Sequence, residues 1–264
     1  MRKINFTKMQ ASGNDFVVLE DNSKFRNKPA LARELCDRKF GIGADGLLFL
    51  KRIRASDLSF QIYNSDGTHP KMCGNGARCA ALWANEKLKI KNKKFRIESE
   101  SGVLQAEVKK RKLVKIKMNK PQNLELNFPL AAGDKKMKAN FVIVGVPHAV
   151  IPVENAGQID VVNTGRSVRF HRRFQPAGTN ADFVQVLNSG KIKIRTYERG
   201  VEGETLSCGT GSTAAAFVLN KLGFVKNRVS VFTESGETLV VDIKSDGVYL
   251  TGEASFVFKG EIAI

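Results

Sequence analysis

Short stretches in which apolar and polar residues alternate run through the whole chain. Leu113-Val114-Lys115-Ile116-Lys117-Met118 and Lys191-Ile192-Lys193-Ile194-Arg195 each put every second side chain on one apolar face. That is the mark of a strand with one wet side. The same reading predicts strands at 4–8, 16–19, 47–51, 58–63, 95–99, 102–109 and 113–118, then at 229–233, 237–244 and 247–252. Helical spacing is rarer. Residues 29–38 place Ala30, Leu31, Leu35 and Cys36 on an inner side, and two alanine-rich runs predict helices over 73–87 and 208–222. Gly41-Ile42-Gly43-Ala44-Asp45-Gly46 is a tight glycine loop that leads into a strand. With no Gly-Lys-Ser/Thr after it, it is a poor phosphate loop.

The two alanine-rich runs begin alike. Cys73-Gly74-Asn75-Gly76 and Cys208-Gly209-Thr210-Gly211 are each Cys-Gly-x-Gly followed by small residues, and a Tyr (Tyr63, Tyr197) precedes each by a similar distance. Such a start lets the first amides of a helix approach an anion. Further echoes, Gly13-Asn14-Asp15-Phe16-Val17 against Asn180-Ala181-Asp182-Phe183-Val184, suggest a degenerate duplication. In that register the 29–38 helix is an insertion in the first half. The expected architecture is α/β, two pseudo-symmetric β-rich domains with the site between them. Residues 1–118 would form the first and 119–253 the second, with 118–127 as the crossing. Residues from about 254 to 264 would pack back onto the first half.

Composition narrows the class. The chain has 264 residues, 42% of them hydrophobic and 26% charged, as in ordinary globular proteins. No run is long and apolar enough to span a bilayer, so a cytoplasmic protein without a membrane partner is expected. Four cysteines (Cys36, Cys73, Cys79, Cys208) without a Cys-x-x-Cys pair, and three scattered histidines, argue for free thiols and no metal. The net charge of +17 is concentrated in runs such as Lys91-Asn92-Lys93-Lys94 and Lys109-Lys110-Arg111-Lys112. These lysines interleave with strand positions and few aromatics, which reads as solvated strand faces and not as a nucleic-acid groove.

A thiol at a helix N-terminus meets the positive end of the dipole, which favours thiolate and predicts a lowered pKa. Two matched thiols suggest one group that takes a proton from one face of a carbon and another that returns one to the opposite face, inverting a stereocentre. Backbone N–H groups at Gly74-Asn75 and Gly209-Thr210 can stabilise the charge that develops beside that carbon. No Lys lies in a pyridoxal phosphate motif, so the reading calls for no cofactor.

The ordered set Ser12-Gly13-Asn14-Asp15-Phe16, Gly41 to Gly46, Tyr63-Asn64-Ser65-Asp66-Gly67, Met72 to Cys79, Pro147-His148, Asn180-Ala181-Asp182-Phe183, Tyr197-Glu198-Arg199-Gly200 and Cys208-Gly209-Thr210-Gly211 resembles the diaminopimelate epimerase family. The resemblance spans nearly the whole chain. It implies an isomerase, independent of pyridoxal phosphate, that interconverts LL- and meso-diaminopimelate for lysine and peptidoglycan precursor synthesis. It implies Cys73 and Cys208 as the acid/base pair. It also implies a substrate shell of Asn14, Asn64, Gly74, Asn75, Asn180, Glu198, Arg199, Gly209 and Thr210, with His148 and Glu198 tuning the thiols. The implied fold is a pair of antiparallel β-rich halves, each an antiparallel sheet or barrel wrapped round one central helix, with a small amino acid as ligand and a possible homodimer. Arg199 suits a distal carboxylate, because its fork binds one in bidentate fashion.

One position departs from the family: Val146 stands where many members have Asn before Pro-His. A related cofactor-independent racemase of another amino acid is therefore the alternative. A basic nucleic-acid-binding protein on an inactive epimerase fold is a third reading, opposed by the intact cysteines. Elsewhere plain roles suffice. Cys79 and Cys36 read as buried small hydrophobes, His69 and His171 as loop residues, and Asp15 and Asp66 as turn-formers.

Overall fold

The computed structural model describes residues 3–21, 25–54, 57–89, 93–133 and 135–263. Lys91 and Asn92 of the basic run lie outside them. The chain folds as two units, Met1–Ile116 with Gly252–Ile264, and Lys117–Thr251.

The first unit contains β1 (Lys3–Ala11), β2 (Asn14–Glu20), α1 (Lys28–Cys36), β3 (Gly46–Arg54), β4 (Asp57–Asn64), α2 (Gly74–Leu88), β5 (Lys94–Ser99), β6 (Gly102–Val108) and β7 (Leu113–Lys117). The second contains β8 (Gln122–Ala132), β9 (Lys135–Val144), β10 (Val146–Pro152), α3 (Val161–Arg169), β11 (Asn180–Asn188), β12 (Lys191–Glu198), β13 (Gly203–Thr205), α4 (Gly209–Lys221), β14 (Arg228–Phe232), β15 (Thr238–Lys244) and β16 (Gly247–Glu253). The last strand, β17 (Ser255–Ala263), pairs antiparallel with β1.

Both units follow one plan. In the first, β1–β2 is an antiparallel hairpin, β2–β3 is parallel, β3–β4 antiparallel, β4–β5 parallel, and β5–β6–β7 a meander. The second repeats it as β9–β10, β10–β11, β11–β12, β12–β14 and β14–β15–β16. Each ladder is thus mixed, where the resemblance implied antiparallel halves. Each parallel step is bridged by a helix, as parallel pairs require: α1 or α3 for the first, α2 or α4 for the second. The bridging helices α2 and α4 are covered by strands of their own unit, and their alanine-rich turns are buried.

The ladders also correct the sequence echo. Phe16 pairs with Gly46, and Gly46 with Asn64. In the second unit His148 pairs with Asn180, and Ala181 with Tyr197. Asn180 therefore matches Gly46 and not Asn14, whose true counterpart is Val146. Helix α1 is matched by α3, so it is no insertion. Short motifs of Asn, Asp and Phe recur at the starts of different strands, and similarity of composition misaligned them. Residues 122–132, read partly as a crossing, form β8; its run of exposed positions carries no clean alternation.

Helix α1 shows how local chemistry places site residues. Asn27 caps it by accepting from Ala30 N at 3.2 Å, and Pro29 lies in the first turn. It stops at Cys36 and not at Arg38, because Asp37 takes the amides of Lys39 and Phe40 at 2.7 and 2.8 Å. The turn carries Arg38 to Asp15 and Asp45. Burial pushes the Cys36 thiol up to about 12, an inert core thiol.

Candidate functional site: two capped thiols

Cys73 and Cys208 are the N-caps of α2 and α4. Both have extended backbone, and each sulfur accepts the N–H of the second glycine, Gly76 at 3.5 Å and Gly211 at 3.4 Å. Sulfur is a weak acceptor, and Ser, Thr, Asp or Asn would cap better. Helix stability therefore does not explain a Cys at both caps. The second glycines are needed for packing. A Cβ on Gly76 would lie 3.2 Å from Phe60 and 3.3 Å from Leu48, and on Gly211 only 2.5 Å from Asp182 Oδ1. Gly74, by contrast, faces open space.

Around Cys73, Asn14 is the hub. Its Nδ2 donates to Asp45 Oδ2 at 2.8 Å, which turns Oδ1 toward the Cys73 thiol (3.8 Å) and Asn75 Nδ2 (3.4 Å). Buried Arg78 donates to Asn75 Oδ1 and Ser12 Oγ, both at 2.8 Å. Asp45 and Asp15 share Arg38 at 2.7 and 2.8 Å, and Lys8 pairs with Asp15 at 2.7 Å. Burial disfavours the Asp15 charge, yet Arg38 and Lys8 hold its carboxyl well below the usual range. Asp15 is therefore more than a turn-former, whereas Asp66 is one: it accepts from the Thr68 amide and hydroxyl. Asn64 ends β4, exposed, donating to Thr68 Oγ1 at 2.9 Å.

The surroundings of Cys208 differ. His148 and Asp182 are fully buried, with Nδ1 and Oδ2 2.7 Å apart, and Thr196 Oγ1 donates to Asp182 Oδ1 at 2.8 Å. Asn180 Oδ1 accepts the Arg199 amide at 2.7 Å, and its Nδ2 donates to Pro147 O at 3.0 Å and points at His148 Nε2 at 3.5 Å. Arg199 Nη1 donates to Ala177 O at 3.0 Å. Thr210 Oγ1 lies 3.3 Å from Cys208 Sγ, and Gly209 packs on Leu250.

Glu198 lies against Cys208. Burial raises its carboxyl above the usual range, with the Asp182 charge adding to the effect. Burial, then Glu198 and Asp182, push the Cys208 thiol well above its ordinary value, against the smaller pull of Thr210 and the Gly211 amide. This corrects the expectation of a dipole-lowered pKa. Desolvation and two carboxylates outweigh one helix terminus at Cys208.

Within each unit, then, several expected residues gather: Asn14, Gly74 and Asn75 beside Cys73, and Glu198 and Thr210 beside Cys208, with His148 linked to that thiol's surroundings through Asp182 and Asn180 through His148. Sequence reasoning missed Asp45 with Arg38, and Asp182 with Thr196. The period-2 signal was available for Asp182, which shares the face of β11 with Asn180. Cys79 is buried inside α2. His69 stacks on Tyr63 and bonds Glu100, and His171 caps a short turn. Among the described residues no cluster of His, Cys, Asp and Glu could hold a metal ion. No described helix is long and apolar enough to cross a membrane.

Comparison with known proteins agrees with this geometry. The family model described as diaminopimelate epimerase matches residues 6–124 and 140–257. The diaminopimelate epimerase of Aquifex aeolicus is 42% identical over 98% of both chains. That of Methanocella arvoryzae is 39% identical over 100% of this chain and 98% of its own. Among solved structures, a phenazine biosynthesis protein of the PhzF family from Bacillus anthracis superposes with a TM-score of 0.78 at 14% identity, covering 100% of both chains. A hydroxyproline epimerase from Agrobacterium vitis does so with a TM-score of 0.75 at 16% identity, covering 100% of this chain and 93% of its own. These two establish the fold alone. By its family model and its full-length relatives, the chain belongs to the diaminopimelate epimerase family.

Proposed function

We propose that this protein is a cytoplasmic, cofactor-independent epimerase that interconverts LL- and meso-diaminopimelate, with Cys73 and Cys208 as its two acid/base groups. The observation that carries the reading is the pair of Cys-capped helices at matching places in two units of one plan, in a chain of this family.

In this mechanism one cysteine, as thiolate, removes the α-proton, and the other, as thiol, delivers a proton to the opposite face. The electron pair left on the carbon is held in the adjoining carboxylate, stabilised by first-turn amides at Gly74-Asn75 and Gly209-Thr210. Turnover leaves the two cysteines with exchanged protonation states, so the reverse reaction uses the same groups in opposite roles. The upward push on the Cys208 thiol suits it to the donor role. Asn14, Asn64, Asn75, Asn180 and Glu198 would hold the ammonium and carboxylate groups, and Arg199 the distal carboxylate.

Incubation with LL-diaminopimelate in D₂O, followed by NMR, tests the substrate. Loss of the α-proton signal with appearance of the meso isomer is expected; a reduced, folded sample that does neither refutes the assignment. Val146, in place of an amide side chain, favours a second reading, racemisation of a different amino acid. It gains ground if a monocarboxylic amino acid exchanges faster than diaminopimelate.

A further inference from the structure

The two units are each other's control. The shared ladders align Phe16 with His148, Leu48 with Asp182, and Ile62 with Thr196. In the first unit these three positions are buried and apolar, and Leu48 lies where a Gly76 Cβ would touch it. In the second unit the same three positions are buried and polar, and Asp182 lies under Gly211. The framework therefore closes over an apolar trio without difficulty. A buried His-Asp-Thr trio costs desolvation that Phe-Leu-Ile does not, so its presence calls for a chemical reason.

The hydrogen bonds give one. A backbone N–H can only donate, so the Arg199 amide fixes Asn180 with Oδ1 toward it and Nδ2 toward Pro147 O and His148 Nε2. Nε2, facing a donor, is then the acceptor of the imidazole, and Nδ1 carries the proton that Asp182 Oδ2 receives. Thr196 occupies the other carboxylate oxygen. Every bond of the trio fits one arrangement: a proton on His148 Nδ1 received by Asp182 Oδ2, with Thr196 on the other carboxylate oxygen.

We propose that Asp182 is a positioning residue for the Cys208 half of the reaction: it holds His148 in the Nδ1–H form and sets a buried carboxylate beneath the first turn of α4, where Cys208 is the cap. The titratable groups facing it are His148 from β10, Glu198 from β12 and Cys208 at the α4 cap. The inference rests on the two-thiol reading, but its primary tests need no substrate.

The test uses D182N, which keeps the shape and can keep the Thr196 bond while removing the charge and offering an N–H to Nδ1. In wild type, ¹⁵N NMR of histidine-labelled protein is expected to show His148 as the Nδ1–H tautomer; in D182N it switches to Nε2–H. Alkylation rate against pH, followed at Cys208 by peptide mass, is expected to shift to lower pH by about one unit or more in D182N, because the charge that opposes thiolate is gone. The T196V variant keeps the carboxylate and should keep the wild-type tautomer. An Nε2–H tautomer in wild type overturns the proposal even if D182N fails to fold. So does an unshifted Cys208 profile in folded D182N. A wild type inactive on diaminopimelate refutes the substrate assignment alone, since tautomer and alkylation are read without it.

Discussion

The two Cys-capped helix starts belong to units of one plan, yet their surroundings are of opposite chemistry. Beside Cys73 the acids come with cations: Asp15 and Asp45 share Arg38, and Lys8 completes the network. Its output is an oriented amide, Asn14, while Phe60 and Leu48 lie beneath the helix start and Phe16 and Ile62 are buried at the other two aligned positions. Beside Cys208 the polarity moves underneath, to His148, Asp182 and Thr196, and Val146 stands where Asn14 would be. There Asp182 pairs with His148 and Thr196, and burial, then Glu198 and Asp182, push the thiol well above its ordinary value. If the two thiols act as proposed, these unequal surroundings bias which of them carries the proton at rest.

The largest effect should come from the thiols. Cys73→Ala and Cys208→Ala are each expected to lower kcat by about 10²–10⁴-fold or more, with circular dichroism and melting temperature close to wild type, since neither sulfur is a strong cap. Near-normal turnover by either variant would remove that thiol from the mechanism. Next, importing the apolar trio as H148F/D182L/T196I should cost about tenfold or more in kcat yet leave the fold intact. Its melting temperature should stay near wild type, since losing buried polar groups offsets the crowding by larger side chains that the first unit accommodates at the same positions. A variant that unfolds would show the polar trio to be structural.

Smaller effects separate the glycines. Gly211→Ala drives a Cβ onto Asp182 and is expected to destabilise by about 1–3 kcal/mol, whereas Gly74→Ala meets open space and should stay within about 0.5 kcal/mol in chemical denaturation. The weakest test is the pH dependence of stability. The Asp15 carboxyl is lowered on folding, so its contribution is present above the ordinary carboxylate pKa and is lost as pH falls. Glu198 and Cys208 are raised, so the stability linked to their protonated forms is present at low pH and lost as pH rises. Asp15→Asn should flatten the acid side of the stability curve, and Glu198→Gln the alkaline side. The reverse assignment would break the contrast.

Much of this was legible in the chain. Alternating lysines exposed the strands, and the paired Cys-Gly-x-Gly runs exposed both helix starts to within a residue. The family motifs pointed to Asn14, Asn180 and Glu198. What was hidden depends on partners distant in sequence. Strand register decides that Val146, not Asn180, answers to Asn14, and no local pattern encodes it. The cations on Asp15 come from β1 and from the turn after α1. The raised Cys208 thiol follows from burial and from carboxylates on β11 and β12, whereas its position at a helix cap taken alone suggested the opposite sign.

The central claim is that two different thiols serve one α-carbon, and early-time isotope incorporation tests it most directly. LL-diaminopimelate is turned over in D₂O to a few per cent conversion, and remaining substrate and product are separated and weighed by mass spectrometry. The account predicts deuterium at the inverted carbon of the product and protium retained in the unreacted substrate, because the acid that finishes the reaction is not the base that began it. Deuterium appearing equally in both from the outset would show a single group working on both faces, and would contradict it.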